Sequence, residues 1–508
     1  MKLGSLFRLY AMSMQLFRTK SLDAILHESE APERQLKRVL GAFDVVMLGI
    51  GAIIGAGIFA TIGTAAAGDL ARPGAGPALI VSFIITGIGC GFAALCYAEF
   101  AAMVPISGSA YTYSYATLGE LVAWIIGWDL IIEYAVGNVA VAISWANYFK
   151  TFVAGFGLII PDWFSTDFRT ARKIPGLLEN APHLFGVPIV FNLLSVGIVT
   201  LITIVLVLGI RESARTNTVM VLIKLVVLLF FVFIGIHYVK PANWTPFAPN
   251  GWAGIQAGAA IVFFAYIGFD AVSTVSEEVR NPKRDLPIGI IGSLIVCTVI
   301  YIIVAAVFTG IIPYSSLVRV LATQQAEPLT LALQYARIAR WGDLFVGIVA
   351  FGSVVAHTAV LLVFQLGQPR IFFSMARDGL LPQSFAKVHP RYRTPYVTTI
   401  LTGVAVGITS MFTSIDEMVD LTNIGTLFAF ILVCMGILVL RKRDPGRPRS
   451  FRTPFVPLVP ILGILSCLYL MLGLPWITWV RFGTWLIVGM VIYFFYGFRR
   501  SHLHRASR

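Results

Sequence analysis

Hydrophobic residues form long uninterrupted stretches in this chain, and polar residues collect in the connections between them. Because a helix needs about 20 apolar residues to cross a bilayer, each stretch predicts a transmembrane helix. Twelve such segments, numbered one to twelve along the chain, are predicted at residues 42–67, 76–103, 118–148, 188–209, 216–238, 254–276, 287–311, 342–374, 397–412, 418–440, 456–474 and 476–497. Several exceed 20 residues, which predicts tilt or extension beyond the bilayer.

Segment one differs from the others because it carries four glycines, Gly49, Gly51, Gly55 and Gly57, within nine residues. An unpaired backbone group in hydrocarbon costs several kcal/mol, so an unwound stretch survives only where it faces protein, water or a ligand. The glycines therefore predict a broken helix and a binding site. The alternative, that they only let two helices approach closely, stays open. A dinucleotide loop is disfavoured because no strand precedes the glycines and their spacing is wrong.

A second irregularity lies in segment six, where Gly268 and Asp270 interrupt the apolar run 261–274. The two irregular stretches are about 212 residues and five segments apart. This spacing is typical of inverted five-helix repeats, in which two discontinuous helices meet at the bilayer midplane and form the substrate site. The pair therefore favours a transport site over a packing seam.

Electrostatics predict the class of ligand. The half-helix that begins near Gly55, Ala56 and Gly57 exposes N–H groups and the positive end of a helix dipole, which favour a carboxylate. Backbone carbonyls on both breaks are predicted to accept hydrogen bonds from an ammonium group: those of Ile53, Ile54, Phe264, Ala265 and Ile267. An α-amino acid carries both groups.

Composition places the chain in a membrane, and charge predicts its orientation. Of the 508 residues, 57% are hydrophobic and 12% charged, which excludes a set of soluble domains. The net charge is +13. With the N-terminus in the cytoplasm, predicted cytoplasmic segments hold 27 of the 38 Lys and Arg residues, predicted outer segments hold ten, and one lies in segment five. This asymmetry predicts a multi-pass cell-membrane protein with both termini cytoplasmic and no nucleic-acid partner.

Other chemistries find little support in the sequence. All five cysteines fall inside predicted segments without the spacing of metal ligands, so neither disulfides nor a metal site are predicted. HExxH and GxSxG motifs and paired catalytic aspartates on facing segments are absent, which disfavours an enzyme. Residues 1–41 are predicted to form a cytoplasmic arm without a cleavable signal. The basic arm either lies on the membrane surface or is a disordered tail, and both alternatives remain open.

Four motifs in order along the chain carry a family resemblance: Gly-Ala-Gly-Ile-Phe at 55–59 and the stretches 264–270, 277–287 and 369–382. With them, residues 36–497 resemble the amino acid–polyamine–organocation superfamily, and within it the bacterial relatives of the cationic amino acid transporters. Ala56 stands where many members carry Ser or Thr, so a hydroxyl contact or sodium site there would be lost. The resemblance implies an all-α membrane protein whose twelve transmembrane helices form a LeuT-like five-plus-five inverted repeat, with discontinuous helices one and six.

Lys224 is a charged residue within segment five, and a charge near the bilayer centre needs a partner or a function. One interpretation is a structural lysine that tethers segment five to the carbonyls of segment one. The other is a proton carrier, because burial disfavours the charged form of a lysine and lets it exchange a proton during transport. The resemblance implies the second role, and we favour it.

Three further residues are candidates for the substrate's side-chain pocket. Glu133 and Asp129 share one face of segment three, and Glu133 is placed to attract a cationic side chain, to pair with Lys224 or to hold helices together. Asp270 is predicted to stabilise the broken backbone or to join a water network near the substrate. Val354 in segment eight is predicted to line the pocket, because segment eight packs beside segment three in the fold that the chain resembles.

These observations predict a secondary active transporter, not an enzyme. Residues 42–238 and 254–440 are expected to be the two repeats and 456–497 two extra helices of a transporter domain 42–498, followed by a cytoplasmic tail 499–508. The expected activity is proton-coupled import of L-amino acids by alternating access, including arginine and lysine and small neutral ones such as alanine. The proton is the coupling ion, without another cofactor, and membrane lipid is the surrounding partner. The alternatives are a proton-independent exchanger and a non-transporting amino acid receptor, and the sequence does not identify a partner subunit.

Overall fold

In the computed structural model, residues 17–20, 38–104, 109–209, 214–323, 327–338 and 341–505 are described. Most of the predicted arm 1–41 and the end of the predicted tail lie outside these residues. The two alternatives for the arm, a segment on the membrane surface and a disordered tail, therefore concern residues that are not described. The described chain is almost entirely helical.

Nine helical stretches in the described part of the chain are long and apolar enough to cross a membrane. They are Ala42–Ala67, Gly76–Met103, Glu120–Ala154, Thr216–Tyr238, Gly251–Glu278, Pro282–Ile311, Gly342–Arg377, Ile415–Arg443 and Trp476–Arg500. These correspond to segments one, two, three, five, six, seven, eight, ten and twelve. Segments four, nine and eleven form shorter apolar helices, Leu193–Val207, Tyr396–Phe412 and Leu458–Leu472. The chain is therefore a multi-pass membrane protein.

Segment seven begins five residues before the predicted position. Its helix starts at Pro282, because a proline is tolerated in the first turn, where the missing N–H would have no intrahelical acceptor. Pro287, the predicted start, lies inside the helix instead.

Several stretches contain more than one kind of helix. Segment one combines α-helices Ala42–Ile53 and Ile62–Ala67 with a π-helical turn Gly57–Thr61; segment two is a 3-10 turn Gly76–Ala78 and an α-helix Leu79–Met103. Segment three combines Glu120–Ile131, a π-helical turn Ile132–Val136 and Gly137–Ala154; segment five is Ala214–Gly235 with a 3-10 turn Ile236–Tyr238. Segment six is an α-helix Gly251–Val262 with 3-10 stretches Phe263–Tyr266 and Asp270–Glu278; segment twelve is Trp476–Ile492, a π-helical turn Tyr493–Gly497 and Phe498–Arg500.

Short elements make up the connections. The helices are Ser109–Thr117, Asp162–Ser165, Phe168–Ala171, Leu177–Asn180, Pro241–Trp244, Tyr314–Thr323, Pro328–Tyr335, Gln383–Ala386 and His502–Arg505. Two antiparallel strands, His183–Leu184 and Val187–Pro188, pair with Leu184 opposite Val187.

The bundle has two ends that carry different parts of the chain. One end, called the connector end, holds the long connection 155–192, whose Arg169 pairs with Glu417 at the start of segment ten. The other, called the terminal end, holds residues 17–20 and 498–505, which meet where Arg18 donates to the carbonyl of Leu503. Lys20 pairs there with Asp378, 3.3 Å away, after segment eight. The described part of the arm thus packs against the bundle.

Segments one and six lie at the centre of the bundle. Of the most apolar 18-residue windows in the two segments, 83% and 94% of the residues are buried, compared with 33% in segment five and 22% in segment twelve. Segments five and twelve expose apolar side chains, as expected for helices that face lipid. The two irregular segments are instead surrounded by protein, which is where interrupted backbone is tolerated in a membrane.

Candidate functional site

Segment one is interrupted at the predicted place. Its α-helix Ala42–Ile53 ends at Ile54, whose φ of −76° and ψ of 103° are those of extended backbone. The chain then re-enters helical geometry through the π-helical turn Gly57–Thr61 and the short α-helix Ile62–Ala67. The backbone of residues 54–56 thus separates two half-helices in the middle of a buried segment.

Segment six is interrupted as well. The α-helix Gly251–Val262 tightens into the 3-10 turn Phe263–Tyr266 and then becomes extended at Ile267, with φ −63° and ψ 136°. Gly268 has a φ of +118°, a conformation that favours glycine, and a 3-10 stretch Asp270–Glu278 follows. The predicted residues Phe264, Ala265 and Ile267 therefore all lie at this break.

The two breaks touch each other. A Cβ atom added to Gly57 would lie 2.2 Å from the Cα of Ala265, and one added to Gly268 would lie 2.8 Å from the carbonyl oxygen of Ala52. Close packing through glycine is thus also present, as the alternative interpretation of segment one expected. It accompanies the interruption of both helices instead of replacing it.

Carbonyl oxygens of segment one are bound by side chains from two other segments. Lys224 Nζ, fully buried, donates to the carbonyls of Gly51 at 2.7 Å and Ile54 at 2.9 Å. The hydroxyl of Tyr301, in segment seven, donates to the carbonyl of Ile53 at 3.1 Å. The predicted acceptors Ile53 and Ile54 are therefore already engaged, although a carbonyl has a second lone pair for another donor.

The second half of segment one begins with Gly55, Ala56 and Gly57, where a helix leaves N–H groups without intrahelical acceptors. Carbonyls of the π-helical turn that follows are satisfied by hydroxyl groups. Thr61 Oγ1 donates to the carbonyl of Gly57 at 2.6 Å, and Tyr148 OH donates to that of Phe59 at 2.7 Å. These bonds hold the turn in place, and the amides at its start can donate hydrogen bonds to an anion.

A group of carboxyl side chains lies beside the breaks. Glu133 is in the π-helical turn of segment three, a geometry frequent at functional sites. Its carboxyl faces that of Asp270, whose Oδ2 accepts from Tyr134 OH at 3.3 Å. Asp129, one turn earlier, is buried against Gly425 of segment ten. Among the described residues, both Asp129 oxygens, Glu133 Oε2 and Asp270 Oδ1 lack hydrogen-bond partners.

Val354 of segment eight was predicted to line the pocket, but a different face of this helix packs against the breaks. A Cβ atom added to Gly55 would lie 2.7 Å from Val360 Cγ2, so Val360 packs on the break. Val354 precedes Val360 by six residues, which places it about 120° around the helix. It is half-buried beside Thr358, which bonds to Trp145. The assignment of Val354 to the pocket is therefore not supported by the placement of its side chain.

Three residues at the site were not singled out from the sequence: Tyr148, Tyr301 and Val360. Each of the two tyrosines places one hydroxyl inside an apolar segment, which is a weak signal because tyrosine is also common as a core residue. Val360 carries no polar group, so nothing in its local sequence distinguishes it.

A family model and several known proteins match most of the chain. A family model described as amino acid permease matches residues 40–496. A branched-chain amino acid permease of Bacillus subtilis is 46% identical over 495 residues, 97% of this chain and 100% of that protein. A methylthioribose transporter of the same bacterium is 45% identical over 490 residues, 96% and 99% of the two chains. A vacuolar cationic amino acid transporter of Arabidopsis thaliana is 36% identical over 446 residues, 86% and 68% of the two chains.

Proposed function

The chain belongs to the amino acid permease family of the amino acid–polyamine–organocation superfamily, and from this premise we propose that it imports L-amino acids together with a proton. Membership of the family makes it an amino acid transporter rather than an enzyme. The identity of the amino acid, the coupling ion and the direction of transport belong to the proposal.

The α-carboxylate of the substrate binds the amides of Gly55, Ala56 and Gly57. This assignment is supported by the interruption at Ile54, which creates a helix start in the interior of the bundle. The α-ammonium group binds remaining lone pairs of the carbonyls of Ile53 and Ile54 and of the carbonyls at the second break, those of Phe264, Ala265 and Ile267. The contact between the breaks brings both sets together.

The side chain of the substrate extends toward Glu133 and Asp270. Two buried carboxyl groups that have no basic partner among the described residues favour a cationic side chain, such as that of arginine or lysine, and a small substrate such as alanine would leave the space to water. One relative is named for cationic amino acids and another for branched-chain ones, so family membership alone does not select between these classes.

Lys224 couples transport to the proton. When protonated, its ammonium group holds the carbonyls of Gly51 and Ile54 on either side of the point where the helix ends. Loss of the proton leaves an amine that donates more weakly, so the break is free to rearrange. The bonds of Lys224 to the broken backbone are the single observation that carries this part of the proposal. The same bonds would serve a structural tether, which is the role Lys224 has if the protein is a proton-independent exchanger.

We further propose twelve transmembrane helices in two inverted repeats, 42–238 and 254–440, with 456–497 as two additional helices and 1–41 and 499–508 as cytoplasmic termini. The fourth member of each set is the short one, Leu193–Val207 and Tyr396–Phe412. These two helices contact each other where Ser195 Oγ donates to Ser410 Oγ at 2.9 Å. Alternating access then follows from tilting one part of the bundle about the paired breaks.

Uptake into proteoliposomes tests the proposal. Labelled arginine, alanine and leucine are offered with and without an inward proton gradient to wild type, Lys224→Ala and the control Lys240→Ala, an exposed lysine after the same segment. Wild type and the control are expected to accumulate substrate above equilibrium when the gradient is imposed. Lys224→Ala is expected to lose this accumulation and keep counterflow, because the backbone site remains.

The outcomes separate the alternatives. Unchanged gradient-driven accumulation in Lys224→Ala would show that another group couples the proton. Counterflow without any response of wild type to the gradient would identify an exchanger. Saturable binding without uptake or counterflow would identify a receptor.

A further inference from the structure

A buried carboxyl group that the proposed mechanism does not use lies at the connector end of the bundle. Glu327 precedes the short helix Pro328–Tyr335, and its side chain is buried, with 8% of the residue exposed. An acidic residue at this position commonly bonds to free amides of the first helical turn. Glu327 makes no such side-chain bond. Its Oε2 atom has no hydrogen-bond partner within the part of the chain that the structure describes.

The helix Pro328–Tyr335, called the cover helix, lies over the second half of segment one. A Cβ atom added to Gly63 would lie 2.8 Å from Cγ of Pro328, so the two elements are in direct contact. The carbonyl of Glu327 accepts from Leu331 N at 2.8 Å and from Thr330 Oγ1 at 3.0 Å. Glu327 thus connects the cover helix to the preceding part of the chain.

The Glu327 carboxyl turns away from its own helix and toward segment three. It faces the amide of Asn147 and the phenol of Tyr148, whose hydroxyl bonds to the carbonyl of Phe59 at the site. Neither neighbour is charged near neutral pH. Burial therefore raises the pKa of Glu327 to about 8, and the facing Asn147 amide opposes this rise only in part.

The titratable groups of the other elements around the cover helix are already bonded elsewhere. In segment eight, His357 contacts Ser144 through Nε2 at 2.7 Å and the carbonyl of Ser353 through Nδ1 at 2.6 Å. In segments five and seven, Lys224 and Tyr301 bind the carbonyls of the first break. The turn of segment one beneath the cover helix, Gly57–Thr61, contains no titratable side chain.

We propose that Glu327 is a second proton-binding residue of the transporter, and that the cover helix closes over segment one only after the Glu327 carboxylate has taken up a proton from the solution at the connector end. One O–H bond forms and the side chain goes from charge −1 to neutral. When the cover helix lifts, the carboxyl is hydrated and returns the proton to the same solution. The inference rests on the proposed transport function but not on the role of Lys224.

The direction of the pH effect follows from the raised pKa. In the closed state the group holds a proton up to about pH 8, whereas a hydrated glutamate loses it near about pH 4.3. Between these values, closure binds one proton and becomes up to about tenfold less favourable for each unit of rising pH. Closure is fully favoured at low pH, and the effect levels off above about pH 8.

Counterflow of labelled alanine measures closure without a proton gradient. The apparent KM for alanine is determined between about pH 6 and about pH 8.5, with internal and external pH equalised by an ionophore, for wild type, Glu327→Gln and Lys224→Ala. Exposed Glu179→Gln is the matched control. The apparent KM of wild type, of the control and of Lys224→Ala is expected to rise at least about fivefold over this range. The rise in Glu327→Gln is expected to be at least about fivefold smaller than that in wild type, because its neutral amide imitates the protonated acid and only Lys224 still exchanges a proton.

Two results would overturn the inference: a wild-type apparent KM that does not depend on pH, or a Glu327→Gln variant that follows the wild-type curve. Hydrogen exchange of the cover helix in wild type provides a test that needs no variant. After correction for intrinsic rates, protection of residues 328–335 should fall as pH rises, and constant protection would contradict the proposal. Absence of counterflow in every protein at every pH, with protection still dependent on pH, would instead contradict the transport function.

Discussion

Two groups of acidic residues in this protein have opposite surroundings. At the connector end, the guanidinium of Arg72 binds Asp420 at 2.8 Å and Asp69 at 2.7 Å, and both Arg72 and Asp420 are buried. Beside the breaks, Glu133 and Asp270 face each other with one oxygen each unpartnered.

Asp129 extends the second group, and neither of its oxygens has a hydrogen-bond partner in the described ranges. Within the described residues, no lysine or arginine pairs with this group. A buried charge is tolerated when it is paired, whereas an unpaired buried carboxyl group must be protonated or bind a cation. The two groups therefore differ in that Arg72 neutralises the first, whereas the second has no basic partner among the described residues.

Removing the arginine from the paired group should have the largest effect. Arg72→Met leaves Asp420 and Asp69 without their cation and is expected to lower the free energy of unfolding by about 3–5 kcal/mol. Thermal unfolding in detergent measures the change, with Arg172→Met, at an exposed arginine of the same end, as control. Adding Asp420→Asn should restore part of the loss. A variant as stable as wild type would show that the pair is not structural.

Neutralising one acid of the unpaired group should change substrate choice more than stability. Because hydrogen bonds to charged groups are worth about 1.5–3 kcal/mol, Glu133→Gln is expected to reduce the transport efficiency for arginine by about 10- to 100-fold. The efficiency for alanine should change by less than about threefold, and the unfolding temperature should be maintained. Equal losses for both amino acids would place Glu133 in helix packing instead of in the substrate pocket.

Removing one of the exposed ion pairs at the connector end should have the smallest effect on stability. Arg169 and Arg481 both pair with Glu417, and the side chain of Arg169 is 53% exposed. Arg169→Gln is therefore expected to change the free energy of unfolding by less than about 1 kcal/mol and to lose even this effect in high salt. Thermal unfolding at two salt concentrations checks the expectation. A loss comparable to that of Arg72→Met would remove the distinction between buried and exposed pairs.

Much of the fold could be predicted because a membrane restricts backbone structure so strongly. The bounds of segment one, Ala42–Ala67, and segment two, Gly76–Met103, coincide with the predicted ones, since apolar length alone determines them. The interruption of segment one could be predicted because four glycines so close together disfavour a continuous helix. The predicted ends of segment three were less accurate. The helix continues to Ala154 instead of ending at residue 148, because the sequence changes only gradually from apolar to polar there.

The candidate site was predictable where it consists of backbone and much less where it consists of side chains. Residues 53–57 and 264–267 were identified from local composition. Val354 was assigned to the pocket by analogy, and packing of segment eight against Gly55 turned Val360 toward the break instead. The engagement of Ile53 by Tyr301 joins residues 248 positions apart, a contact that no local pattern encodes.

The sequence by itself determined that the chain enters a membrane, roughly which residues its helices occupy, and which two of them cannot remain continuous, because these properties depend on hydrophobicity and backbone freedom over a few turns. Only the tertiary structure decided which acids acquire an arginine and which remain unpaired, and which carbonyls of the broken helix Lys224 binds. Those outcomes depend on distances between segments that are far apart along the chain, and the cost of a buried charge is set by the partner that packing brings to it.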